Sequence, residues 1–447
     1  MAILSKTNVP QFSVDVYQNE YLPEGGREVN AIVTVTSTGG GTTGGHPLPG
    51  AVPGTQAGTN AGVVIMVDCS GSMEYPPTKM RNAREATAVA IDAIRDGVAF
   101  AVIGGTHVAR EVYPANGGLA VADPATRAQA KQALRRLTAG GGTAIGTWLR
   151  LADKLLSSGD AAIRHGILLT DGRNEHEKPE ELQSALDSCA GRFTCDARGV
   201  GTDWEVKEVT GIASALLGSV DIVADPTGLA ADFHAMMEKT MGKEVADVSL
   251  RLWTPQGSEI AFVKQVAPTV EDLSGRRTDA GPRAGDYPTG SWGDESRDYH
   301  VCVRVPNAGV GQEMLAARLS LVLPQPDGSP QVLAQGLVRA LWTDDMAAST
   351  RINPQVAHYT GQAELAQVIQ QGLEARKSGD MDGATAKLGR AVQLASASGN
   401  EDTAKLLAKV VDVVDAASGT VRLKARVADA DEMTLETRST KTVRVKK

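Results

Sequence analysis

The sequence predicts a mixed α/β chain, with a doubly wound parallel-sheet domain inserted into an antiparallel β-sandwich and a C-terminal segment of three helices. Three observations carry this. Residues 62–240 alternate short apolar runs with amphipathic stretches of about 10–20 residues, the rhythm of successive βα units. Residues 1–40 and 245–345 hold strand patterns alone. Residues 355–418 repeat apolar positions at helical spacing.

In chain order, FSVDVYQNEY and EVNAIVTVTS alternate apolar and polar residues and read as two strands too few to form a sheet alone. The Gly, Pro and Thr-dominated stretch over 41–61 has no periodicity and reads as a linker. GVVIMVD, GVAFAVIGG, THVAREVY, IRHGILLTD, RFTCDARGVG and SVDIVAD then read as strands. Several are nearly continuous in apolar residues, as expected when helices cover both faces of a sheet. KMRNAREATAVAIDAI, ATRAQAKQALRRL, TAIGTWLRLADKLLSS, PEELQSALDSC and LAADFHAMMEKTM are the helices between them, with Trp148 and Trp204 expected as helix residues packed on the sheet. Five strands over 245–345 add to the two N-terminal ones to complete a sandwich, with Trp253 and Trp342 in its core. ELAQVIQQGLEARKSG, DGATAKLGRAVQLASASG and EDTAKLLAKVVDVVDA are three cap helices, and residues 419–447 lose periodicity and read as a flexible tail.

Composition narrows the function. With 447 residues the chain can bury more than one core, and 45 Lys+Arg against 53 Asp+Glu give a net charge of −8. That balance argues against nucleic acid or an anionic membrane as the main ligand. No apolar run approaches the roughly 20 residues that span a bilayer, and the N-terminal segment lacks the apolar stretch of a secretory signal, so a cytoplasmic address is expected. Four scattered cysteines are too few for a disulfide scaffold; most are expected free and buried, with a Cys189–Cys195 bridge left open.

The informative segment is VVIMVDCSGSM, where Asp68, Ser70 and Ser72 form D-x-S-x-S at the end of a strand. Alternate oxygens in a tight turn converge on one point, and hard oxygen donors suit Mg²⁺ or Mn²⁺. An Asp and two Ser after a strand also serve as helix caps, so the motif alone is not decisive. Two further residues add weight: Thr143 in TAGGGTAIG follows a glycine run and opens a helix, and Asp171 in GILLTDGRNE sits just past a buried strand.

With these five residues in order, residues 62–240 resemble a von Willebrand factor type A domain and its metal-ion-dependent adhesion site. The resemblance implies that Asp68, Ser70, Ser72 and Thr143 meet a Mg²⁺ or Mn²⁺ ion directly or through water. Asp171 would contact it through water or hold the site from behind. It also implies the adhesion mechanism, in which an Asp or Glu carboxylate of a partner protein completes the ion's coordination. Glu74, Tyr75, Arg173, Asn174 and Glu175, from the flanking loops, would meet that partner first.

Catalysis is not expected. Hydrolytic metal sites want a general base or a second metal, and His107, expected on a strand, and His176, in a polar loop, lack ligand-like spacing to another His. Cys69 has no His motif beside it and reads as packing, and Gly140–Gly142 reads as a turn because no phosphate-loop signature is present. The expected function is a cytoplasmic, metal-dependent protein-binding scaffold. High Ala, Gly, Val and Arg usage fits a bacterium with GC-rich coding, and the resemblance implies a stress or signalling system. A substrate adaptor of an AAA+ ATPase of the MoxR or chelatase type is the alternative, and a metal-dependent hydrolase the alternative of another class. The hydroxyl-rich TLETRSTKT stretch adds Thr434, Thr437 and Thr440 as candidate phosphorylation sites that a forkhead-associated domain could read.

Overall fold

The computed structural model describes residues 10–38, 61–325 and 328–445. The expected linker over 41–61 lies outside the described residues except for Ala61. The described chain divides into two compact units, one of residues 61–246 with 290–293 and the other of 10–38, 247–289 and 294–445.

The first unit is the doubly wound domain. Its strands stand in the order Val220–Val223, Thr194–Val200, Ile163–Thr170, Ala61–Asp68, Ala99–Gly105, Ala109–Tyr113, the first five mutually parallel and the last antiparallel. Apolar residues run continuously through the central strands because both faces are covered: seven of eight residues of Ala61–Asp68 are buried. On one face Val63, Ile65 and Val67 join Ala83, Ala86, Phe233 and Met237 of the helices Thr78–Ala93 and Leu229–Met241 in a single core. After Ala61–Asp68 the chain proceeds to one side of the sheet and later returns to the other, so the topological switch point lies between Ala61–Asp68 and Ile163–Thr170. Sheets of this kind bind ligands in the crevice outside the carboxyl ends of those strands.

The second unit contains two antiparallel sheets. One runs Gln11–Gln18, Glu28–Thr38, Glu295–Arg304, Glu259–Ala267, Glu271–Asp272; the other runs Thr278–Asp279, Ala284–Pro288, Ser249–Trp253, Glu313–Pro324, Pro330–Trp342, with Tyr21–Leu22 added in parallel at its end. Val14 and Val16 of the first sheet close on Gly336 of the second, where a Cβ would lie 3.0 and 2.8 Å from them. Three helices follow, Pro354–Ser378, Met381–Ser398 and Glu401–Val410, punctuated by Gly379 and Gly399 in the left-handed region and started by Asp380 and Asn400, whose side chains accept from Gly383 and Thr403 amides.

Several expectations need correction. The third helix stops at Val410, and VDVVD forms a hairpin strand with Thr420–Leu423, because a β-branched run favours pleated backbone. The expected tail is built structure: Asp429–Arg438 is a helix. Beyond it the Thr440 carbonyl accepts from the Val270 amide, Thr442 donates through both its amide (to Pro268) and its hydroxyl (to Val266), and the Val443 carbonyl accepts from His358. Trp204 lies in a turn, not a helix, and Trp253 is only partly buried, with Arg283 and Arg318 over its ring. The fully buried Trp292 had no sequence signal. His107 falls in the loop after Ala99–Gly105. All four cysteines are free. Among the described residues no helix is long and apolar enough to cross a membrane.

Burial sets an acid sensitivity in this unit. His300 on strand Glu295–Arg304 is 6% exposed, donates from Nε2 to Asn30 Oδ1 at 2.9 Å and meets the Phe262 ring edge-on. Burial, aided by nearby Lys264, pushes it down to about 4. Between about pH 6.5 and 4 the unfolded chain therefore takes a proton that the folded one refuses, so stability falls as the pH drops through that window. We expect a loss of about 2 kcal/mol between pH 7 and 5, measured by denaturant unfolding and largely absent in His300→Gln; an equal loss in both proteins would refute the assignment.

Candidate metal-ion site

Three loops meet at the switch point. The strand Ala61–Asp68 delivers Asp68 and then turns through Ser70 and Ser72; the glycine run delivers Thr143; the strand Ile163–Thr170 delivers Asp171. Backbone bonds tie them together: Gly71 N–H to the Gly141 carbonyl (2.9 Å), Gly140 N–H to the Cys69 carbonyl (2.8 Å) and His176 N–H to the Thr143 carbonyl (3.0 Å). Gly141, at φ 86°, is in the left-handed region that this crossing of loops requires.

The five expected residues come together. Asp68 is fully buried, its Oδ1 accepting the Ser70 amide (2.8 Å) and its Oδ2 the Thr170 hydroxyl (2.7 Å). The Ser70 and Ser72 hydroxyls lie 2.9 Å apart, and Ser72 donates to Asp171 Oδ1 at 2.7 Å. Gly172 locates their common focus: a Cβ there would lie 3.0 Å from the Ser72 hydroxyl, 3.6 Å from that of Thr143 and 3.8 Å from that of Ser70. Burial, partly offset by the Ser70 bond and reinforced by the charge of Asp171, pushes the Asp68 carboxyl up to about 6. A carboxylate so buried is stabilised by positive charge.

Asp171, the second buried carboxylate of the site, has its positive charge within the chain. Lys79, at the start of helix Thr78–Ala93, is buried with its Nζ 2.7 Å from Asp171 Oδ2, 3.1 Å from Asp203 Oδ2 and 3.3 Å from the Ser72 carbonyl. Burial alone would push the ammonium down, but Asp171 and then Asp203 outweigh it and hold Lys79 above its usual value. Sequence reading missed Lys79, Thr170, Gly172 and Asp203. Lys79 lies seven residues beyond Ser72 and follows no metal-ligand spacing, so the motif offered no signal for it.

The expected rim separates into two kinds of residue. Glu74, Tyr75, Arg173 and Glu175 are exposed, Tyr75 at 81%. Asn174 is not a rim residue: it is buried, and its Oδ1 accepts the Ile145 amide at 2.7 Å while its Nδ2 donates to Glu177, whose carboxylate accepts the Gly146 amide. The pair caps the helix Ile145–Leu156 and so fixes Thr143 just ahead of it.

The donor set fits a hard cation. Three hydroxyls face one point near the deeply buried Asp68 carboxylate, and among the described residues no group of three or more His, Cys, Asp or Glu is placed to hold a metal ion. Gly172 also supplies a test. A methyl there would press on the Ser72 hydroxyl, and overpacking of this kind costs about 1–3 kcal/mol. Gly172→Ala is expected to weaken Mn²⁺ binding roughly tenfold by calorimetry and to lower the thermal midpoint in EDTA by about 2–4 °C; unaltered affinity would remove the focus from Gly172.

A doubly wound domain with a hydroxyl-rich cluster at its switch point defines an α/β protein with a candidate ion site, and comparison gives the family. A model of the von Willebrand factor type A domain matches residues 61–222, and one of the von Willebrand factor type A C-terminal domain matches residues 393–439. The solved structure of a von Willebrand factor type A protein from Catenulispora acidiphila is 52% identical, covers 99% of this chain and 99% of that chain, and superposes with a TM-score of 0.91. The chain belongs to the von Willebrand factor type A family. The ArnB paralog VWA2 from Sulfolobus acidocaldarius shares the fold at 13% identity, with 96% of this chain and 98% of that chain covered and a TM-score of 0.59. No curated protein matches the sequence. Domains of this family commonly act as metal-dependent protein-interaction modules and often bind a divalent metal.

Proposed function

We propose that this protein is a non-enzymatic scaffold that captures an acidic residue of a partner protein at a Mg²⁺ or Mn²⁺ ion held by Asp68, Ser70, Ser72 and Thr143. The observation that carries this reading is the convergence of three hydroxyls on one point beside a fully buried carboxylate. The bound ion would supply a positive charge able to accept a carboxylate from outside. Asp68 gives the site its own negative charge, the hydroxyls add oxygen donors without further charge, and Asp171 orients Ser72 through its hydrogen bond. Exposed Tyr75 offers an aromatic contact at the edge, with Glu74, Arg173 and Glu175 nearby to discriminate among acidic partners.

The local chemistry favours capture over hydrolysis. Burial and the adjacent Asp68 push the Cys69 thiol up to about 12, so it is not a nucleophile at neutral pH. His176 Nδ1 accepts the Thr143 amide at 3.2 Å and serves the loop instead of a water. A bacterial cytoplasmic setting in stress or signalling remains part of the proposal. Of the candidate phosphorylation sites, Thr437 is buried on helix Asp429–Arg438 and Thr434 on the same helix donates to the Ala430 carbonyl, while half-buried Thr440, beyond the helix, stays in the proposal.

The test is a pull-down from native cytosol with wild type and Asp68→Asn, each in Mg²⁺ or in EDTA. A partner captured by wild type in Mg²⁺ alone supports the reading. A partner retained under all four conditions moves the interaction away from the ion and overturns it.

A further inference from the structure

The candidate site already contains one cation. Lys79 presents three ammonium protons to three oxygens, those of Asp171, Asp203 and the Ser72 carbonyl, at 2.7, 3.1 and 3.3 Å. All its donor capacity is spent, and the pair with Asp171 is buried, with side chains 9% and 0% exposed. Asp203, 68% exposed, is the outer partner. Ser72 belongs to the same arrangement twice, donating to Asp171 through its hydroxyl and accepting from Lys79 through its carbonyl. The ammonium is therefore fixed against the motif from the helix behind it.

Building on the proposed ion site, we infer that Lys79 is its resident counter-cation: it neutralises Asp171, keeps that second carboxylate from serving the ion, and thereby sets the site's divalent affinity low and its attraction for an outside carboxylate high. The physical reason is charge balance. Two ionised carboxylates facing one divalent ion cancel its charge and leave little to attract a third. With buried Asp171 already paired to Lys79, and the charge of Asp203 screened by solvent at 68% exposure, Asp68 is the one buried carboxylate with its charge free for the ion, and net positive charge is left inside the site to face the partner. The same ammonium repels a divalent ion across a buried region, which lowers affinity further. Lys79 is thus a positioning and tuning residue, distinct from the oxygen donors.

The inference makes an unusual prediction, that removing a residue from the site strengthens ion binding. The full chain is titrated with Mn²⁺ alone by calorimetry as wild type, Asp68→Asn, Lys79→Met, Lys79→Gln and Lys79→Arg, with folding checked by circular dichroism in EDTA. Lys79→Gln keeps a donor for Asp171, so the fold need not depend on the ammonium. Lys79→Met and Lys79→Gln are expected to bind Mn²⁺ about tenfold more tightly, Lys79→Arg to stay near wild type, and Lys79→Met with Asp171→Asn to lose the gain. Unchanged or weaker binding in folded Lys79→Met and Lys79→Gln overturns the inference and leaves the ion site standing. Binding by Lys79→Met but not by wild type supports the inference while overturning the resident-ion reading. Absence of binding in every protein overturns both, and failure of both neutral variants to fold assigns Lys79 to structure and overturns the inference.

Discussion

Asp68→Asn loses Mn²⁺ binding by at least about a hundredfold while its thermal midpoint in EDTA stays within a few degrees of wild type. Altering residues that merely support a metal ligand costs about 10–100-fold in affinity, and Asp68 is the carboxylate at the focus of the site, so its loss costs no less. Stability is expected to survive because asparagine keeps the shape and can still accept the Ser70 amide. It also removes a buried charge that burial has pushed up to about 6. The same substitution should abolish Mg²⁺-dependent partner capture. Calorimetric titration alongside a melting curve checks both halves; retained Mn²⁺ affinity would exclude Asp68 as a ligand, and a collapsed midpoint would make it a folding residue.

Asp298→Ala destabilises the second unit by about 3 kcal/mol, at the low end of the range for breaking a buried pair because Arg444 is partly exposed. The Asp298 carboxylate accepts from Thr34 (2.6 Å), from Arg444 through Nε (2.9 Å) and Nη2 (2.7 Å), and from the Tyr359 hydroxyl. Burial works against the charge, but Arg444, Thr34 and Tyr359 hold the carboxyl below its usual range. Truncation strands the buried Tyr359 phenol, whose desolvation is no longer compensated, and frees Arg444 to solvent. The midpoint of the calorimetric transition assigned to this unit should drop by roughly 6–12 °C. A drop under 2 °C would show that the network is incidental to stability.

How much of this was legible depended on whether the residues that cooperate are neighbours in sequence. Asp68, Ser70 and Ser72 stand in one turn, and their spacing suggested an oxygen-donor site without deciding it against helix caps. Thr143 and Asp171 became meaningful through the resemblance, and the sheet order then explains why three loops meet there. Lys79 was invisible because a lysine early in an amphipathic helix looks solvated until the fold carries it to Asp171. Asn174 misled for a related reason: a polar residue in a polar loop gave no hint that it caps a helix starting 29 positions earlier. The helix Val206–Ala215 was missed because VKEVTGIASA mixes β-branched residues with a glycine, so local propensity opposes the form that packing imposes. The end of the chain was misread because mixed charge and hydroxyls resemble a solvated tail, whereas Thr442, Val443 and Arg444 find partners far away in sequence.

That last feature bears on how the protein is made. Asp298 leaves the ribosome 146 residues before Arg444, and the strand Glu28–Thr38 must wait for Glu295–Arg304 to pair with it. The doubly wound unit needs none of these late residues for its sheet, so synthesis in the N-to-C direction lets it close first. The other unit stays incomplete until the closing arginine arrives. Chains truncated before residue 444 and released full-length chains should therefore differ in protease resistance within residues 247–445 and not within 61–246, so that the doubly wound unit matures ahead of the segments that flank it in sequence.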